Sequence, residues 1–197
     1  LSNRQSIWTG FMLGTLFQST IEVMDGFSQK WGFSTYDVAM NFVGSGAFVA
    51  QQVFWEEQRI RLKVSNIPRP YSTSPISSVD GQANSSLRRR ANNLFGTSYA
   101  EKFLKDYNSL VTWASVDLHA FFPNSPIPTW LNISLGYGAG NMFGGYENIW
   151  NEGASLFRLT DEKYRRYSSF YLAPDIDLSH IRTKYQLINT LLDVANI

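Results

Sequence analysis

Residues 10–48 read GFMLGTLFQSTIEVMDGFSQKWGFSTYDVAMNFVGSGAF, and the spacing of small and apolar side chains along them sets the expected architecture. Gly10 and Gly14 sit four apart on a stretch, residues 6–21, that carries no charge at all. A helix with such a bare edge lets a second helix approach closely. A matching edge follows in residues 35–64, where Ala39, Val43, Gly46, Ala47 and Ala50 fall on one stripe at helical spacing. Together the two stretches predict an antiparallel helical hairpin with close backbone contact. Ser34, followed three residues later by Asp37, marks the start of the second helix and puts a carboxylate in its positive first turn. The uncharged run is shorter than the ~20 apolar residues that cross a bilayer and contains Ser, Thr and Gln, so it reads as a buried helix.

The hairpin also gathers the most distinctive polar set, with Glu22 and Asp25 ending the first helix and Asp37 and Asn41 opening the second. Clustered carboxylates can share a proton, hold a cation or accept hydrogen bonds from the turn between the helices. Turn capping is preferred over catalysis, because acid–base work also needs a cleft. Glu56, Glu57, Arg59, Arg61 and Lys63 crowd the far end of the second helix, where Glu57 and Arg61 suit an i,i+4 pair and the chain is expected to meet water or a charged surface.

Working outward, residues 66–97 are rich in Ser, Asn and Pro and contain Arg88-Arg89-Arg90, which reads as a structureless strap with a solvated basic patch. Ser98 and Glu101 form a second capping box, opening a short helix to Lys105. Between Asp106 and Phe157 there is no Lys or Arg, but there are many rings, among them Trp113, Trp130, Tyr137, Phe143, Tyr146 and Trp150. Pro128 suits the first position of a short helix. Residues 132–137 and 167–178 have strand composition, and the positions from Ile181 to Ala195 are helical in period. The expected fold is therefore α+β and predominantly helical: a hairpin over residues 1–65, a strap over 66–97, and an aromatic lobe with a few strands over 98–197. Hairpin and lobe are expected to form one compact unit.

Charged residues are 17% of the 197, against roughly 25% in ordinary soluble domains, while aromatic residues reach 15%. A chain with few solvating groups and many rings reads as one that buries surface against a partner or a membrane face. The net charge of +1 gives no field for nucleic acid. The absence of cysteine excludes disulfides, thiolate metal sites and a thiol nucleophile. Asp175, Asp177 and His180 in DIDLSH have metal-ligand types, yet a polar edge is the preferred reading and no metal or cofactor is expected. There is no G-x-S-x-G elbow, and GYGAGNMFGG lacks both the spacing and the Lys of a phosphate loop. Leu1 without an initiator Met and Ile197 without a stop signal suggest an interior segment of a longer precursor.

The 10–48 run, with Glu22, Asp25, Trp31-Gly32-Phe33-Ser34, Asp37, Asn41 and Gly44, resembles the bacterial YfiM-like family, a domain of unknown function described as predicted periplasmic lipoproteins. QQVFWEEQRIRLKVS, LKDYNSLVTWASV, PTWLNISLGYGAGNMFGG and YRRYSSFYLAPDIDLSHI are similar to its longer Bacteroidota branch, extending the likeness over nearly the whole chain. Family members carry an upstream Asp-Lys…His motif that lies before this chain, and no catalytic residues come with the resemblance. It implies a periplasmic, non-enzymatic protein peripheral to the outer membrane, similar to the plug of the type IX secretion translocon. Its partner would be a large outer-membrane β-barrel or secretion complex, met through Trp113, Trp130, Tyr137, Phe143, Tyr146 and Trp150, with Arg88, Arg89 and Arg90 beside them. A lipid-associated module and a periplasmic hydrolase built on Glu22, Asp25 and Asp37 are the alternatives.

Overall fold

The structure is a computed structural model that describes residues 2–27 and 33–196, apart from the side chain of Asp25. The chain divides into two compact units, at Arg59 and Ile60. The first holds α1 (Asn3–Gly26) and α2 (Thr35–Trp55), packed antiparallel. Ser34 caps α2 by accepting the Asp37 amide N–H at 3.2 Å. The expected hairpin is there, but its seam differs from the expected one. The side of α1 withdrawn from water runs Ile7, Phe11, Thr15, Ser19, Glu22, and that of α2 includes Val38, Asn41, Ser45 and Val49. A Cβ added at Gly14 or Gly46 would meet open space, and one at Gly10 would meet the Phe48 ring at 3.8 Å. The small-residue edges therefore do not form the contact, where instead rings such as Phe11 and Phe42 meet at 6.5 Å. Trp31 and Gly32, the expected turn, lie outside the described residues.

α2 stops at Trp55, where Glu56 takes a left-handed conformation (φ 60°) and ends the helix. Residues 60–66, IRLKVSN, then form β1 rather than more helix. The reason is local: apolar and polar residues alternate with period two, and Ile60 and Val64 are β-branched. The i,i+4 pair of Glu57 and Arg61 is consequently absent; Arg59 takes Glu57 at 2.9 Å, and Arg61 turns to Asp177.

The second unit continues with β2 (Ile76–Ser77), β3 (Asn84–Ser85), α3 (Leu87–Phe95), α4 (Tyr99–Lys105), β4 (Leu110–Asp117), α5 (Leu118–Phe121), β5 (Leu131–Gly140), β6 (Ile149–Glu152), β7 (Ser155–Arg158), β8 (Tyr167–Ile176) and α6 (Gln186–Ala195). β1, β4, β5 and β8 form one antiparallel sheet in that order. About 42% of the described residues are helical and 25% are strand, so the chain is not predominantly helical. The sheet is the organising element of the larger unit, and expecting only a few strands undercounted it.

Residues 66–97 are not a free strap. β2 pairs with β3, α3 follows, and Tyr71 donates to Asp106 at 2.6 Å. Pro128 opens a turn closed by the Leu131 N–H, not a helix. A small aromatic core forms beneath α3: Ala91 and Phe95 are buried with Phe143, Trp150 and Phe157, and Trp150 stacks on Phe157 across the β6–β7 hairpin. No helix among the described residues is long and apolar enough to cross a membrane.

Candidate functional site

Alternation along a strand sends successive side chains to opposite faces, and the register of the four-stranded sheet lines them up in rows. One face carries Ile60–Val116–Ile133–Pro174, then Leu62–Ala114–Leu135–Leu172, then Val64–Thr112–Tyr137–Phe170. Thr112 and the Tyr137 hydroxyl are the only hydrogen-bonding side-chain groups in these rows, and no charge is present. This face is open: Leu62 is 69% exposed, Leu135 58%, Leu172 72% and Phe170 80%.

The other face is polar and engaged. Its rows are Arg61–Ser115–Ser134–Ala173 and Lys63–Trp113–Gly136–Tyr171, with Asp117–Asn132–Asp175 beyond them. Lys63 on β1 pairs with Asp175 on β8 at 2.8 Å, and Arg61 pairs with Asp177 just past β8. Laid flat, three strand spacings would separate these edge strands by about 14 Å, so the sheet coils to bring them together with its polar face inward. Gly136 makes this possible, because a Cβ there would lie 2.6 Å from the Trp113 ring, which crosses it to meet Tyr171 at 5.9 Å.

Asp177 is the node of this face. Its fully buried carboxylate accepts from Ser179 N–H at 3.0 Å and Asn196 Nδ2 at 2.8 Å in addition to Arg61, and His180 Nδ1 lies 3.1 Å away. Burial raises its pKa, but the Ser179 hydrogen bonds and the Arg61 charge outweigh burial and hold the carboxyl below its usual range. Asp175 behaves alike: burial raises it, and Lys63 with Ser115, whose hydroxyl donates at 2.5 Å, brings it down. His180 thus joins Asp177 and not Asp175. Asp117, Asp177 and His180 bring ligand atoms within 4.8 Å of one another. Arg61 already neutralises Asp177, and Asp117 caps α5 through the Ala120 N–H at 2.9 Å, so the group works as an ion-pair node. A cavity of about 260 Å3 opens on this polar face beside Lys63, Trp113, Ser134 and Asp175.

The residues singled out from sequence are dispersed. Phe143 and Trp150 are buried in the α3 core, with Trp150 5% exposed, so neither can meet a partner. Trp113 lies on the polar inward face. Trp130 and Tyr146 are exposed in loops, and Tyr137 alone of the six belongs to the open apolar face. The arginine run is not a uniform solvated patch. Arg88 is exposed and Arg89 pairs with Glu152, while Arg90 lies 5.0 Å over the Trp150 ring and donates to the Phe143 carbonyl at 2.8 Å. In the hairpin, Asn41 is half-buried, Asp37 is exposed, and buried Glu22 accepts the Ser34 amide N–H at 3.4 Å. That contact ties the end of α1 to the cap of α2. Glu22→Ala is expected to lower stability by about 1–2 kcal/mol, read as a shifted denaturant midpoint; an unchanged midpoint would free Glu22 for another role.

The open apolar face was not anticipated, although its signal is present in I60-x-L62-x-V64, I133-x-L135-x-Y137 and F170-x-L172. Compared with known proteins, the chain matches no family model, no curated protein and no solved structure.

Proposed function

We propose that this chain is a non-enzymatic envelope protein that works by burying the open face of its sheet within an outer-membrane assembly. The observation that carries this reading is the uncharged outer face, continuous over four strands in register. Water-soluble monomers rarely leave apolar patches of such extent uncovered. The low charge content supports the same reading, as does the resemblance to the YfiM-like family, whose Bacteroidota branch points to the periplasmic side of the outer membrane. A large outer-membrane β-barrel or secretion complex, such as the type IX translocon, is the partner class this implies. Of the carboxylates of the hydrolase alternative, Glu22 is engaged by the turn and Asp37 is exposed, while the side chain of Asp25 lies outside the described residues.

Affinity isolation of the tagged chain from a mild-detergent extract of native membranes tests the reading. The chain is expected to co-purify with a large outer-membrane protein and to sediment with the outer-membrane fraction. Recovery as a soluble monomer, free of both membrane and partners, would overturn it.

A further inference from the structure

Resting on the reading that the open sheet face is the working surface, we propose that lipid acyl chains, not a protein, cover it, and that the sheet is a wall segment of transmembrane-barrel type. The central argument is inversion. A water-soluble domain that docks on a protein still keeps an apolar interior behind its docking face. Here the side behind the open face, beside Val111 and the Trp113–Tyr171 ring pair, carries the charges and their partners: Arg61 with Asp177, Lys63 with Asp175, and Ser115 with Asn132 at 3.0 Å. Polar inside and apolar outside, alternating residue by residue, is the pattern of strands that face lipid on one side and an aqueous lumen on the other.

Three further observations agree. The two longest strands of the sheet, β5 and β8, have 10 residues each, within the ~9–11 of a tilted membrane strand, while β1 has 7 and β4 has 8. The centre of the face is aliphatic, and its rings, Tyr137 and Phe170, sit together in one row at 5.4 Å, next to the row that ends with Ala139–Ser168. Protein interfaces instead concentrate aromatic and Arg anchors centrally and make about one hydrogen bond per 100–200 Å2, which these side chains cannot supply. The hairpin, taken by itself, shares the outward half of the pattern: Met12, Leu13, Leu16 and Phe17 face outward, while its seam mixes Ile7 and Phe11 with Thr15, Ser19 and Glu22. Water is excluded as the lasting environment of such a surface, and the polar concave face, where Ser115, Asn132, Ser134 and Asp177 are buried, is the side-chain-filled interior behind it.

The chain has no cysteine, so single nitroxide labels can be placed without background. Leu135→Cys, Leu172→Cys and Ser169→Cys forms of the full chain, labelled and reconstituted into phosphatidylethanolamine–phosphatidylglycerol vesicles, are compared for collision with oxygen and with a water-soluble nickel chelate. Labels at 135 and 172 are expected to collide preferentially with oxygen, and the label at 169 with nickel, reversing the sign of the depth parameter between opposite faces. Labels at 135 and 172 that are immobile and shielded from both reagents in native membranes would mean a protein cover; this overturns the lipid proposal and leaves the docking function standing. Free nickel access at both positions, with no partner recovered in the affinity experiment, overturns both.

Discussion

Replacing Leu135 and Leu172 together by Lys is expected to release the chain from the membrane fraction while leaving its far-UV circular dichroism unchanged. The two residues are cross-strand partners at the centre of the open face, 58% and 72% exposed. A lysine there has no anion to meet, because the face carries no acidic residue. Against acyl chains each charge costs about 2–4 kcal/mol near the bilayer midplane. A loss of even one such increment is more than tenfold in partition, so the double variant should pass almost wholly to the soluble or aggregated pool. Asn124→Lys, in an exposed loop, is the control and should partition as the parent does. Were the open face solvated in the working protein, the same two lysines would raise solubility and leave localisation alone.

The second large effect is expected on the opposite face. Asp177→Ala removes the acceptor shared by Arg61, Ser179 and Asn196 and leaves the guanidinium facing an inward polar surface. Breaking a buried pair from one side costs about 3–5 kcal/mol; the lower end applies, since Arg61 remains a third exposed. A denaturation midpoint should fall accordingly, and Asp177→Asn, which keeps one acceptor, should fall less. The pH dependence follows from the same groups. Asp175 and Asp177 are depressed in the folded chain, so their stabilisation is complete above the unfolded carboxylate range near pH 4 and disappears as pH falls through their lower folded values. Acid should therefore loosen the parent below about pH 4, and the Asp177→Ala variant should show a shallower acid limb.

What the sequence reveals is local, and what it hides is pairing. Ser34 with Asp37 and Ser98 with Glu101 announce the starts of α2 and α4, because a cap needs only the residues beside it. The strand composition of residues 132–137 and 167–178 locates β5 and β8 for a similar reason. β1 is obscured because Glu56, Glu57 and Arg59 make residues 56–63 look like the wet end of a helix, and Arg61 and Lys63 find their acids more than a hundred residues away. The candidate surface is hidden more deeply. Alternation in L131-x-I133-x-L135-x-Y137 says that a strand has two unlike faces, but not which of them faces in. That is decided only when four strands coil and Lys63 meets Asp175. The tryptophans divide in the same way: Trp150 is withdrawn by Phe157 and Arg90, which local sequence does not place beside it.

The central claim, that the apolar side of the sheet is covered in the working protein, is tested most directly by cysteine scanning along Leu131–Gly140 in opened envelope fragments, both membrane sides accessible and Asn124→Cys as the solvated-loop control, read with a membrane-impermeant maleimide. The account predicts that Ile133→Cys, Leu135→Cys and Tyr137→Cys stay unlabelled until detergent or denaturant is added. Labelling of all three at the rate of a thiol in a solvated loop would contradict it.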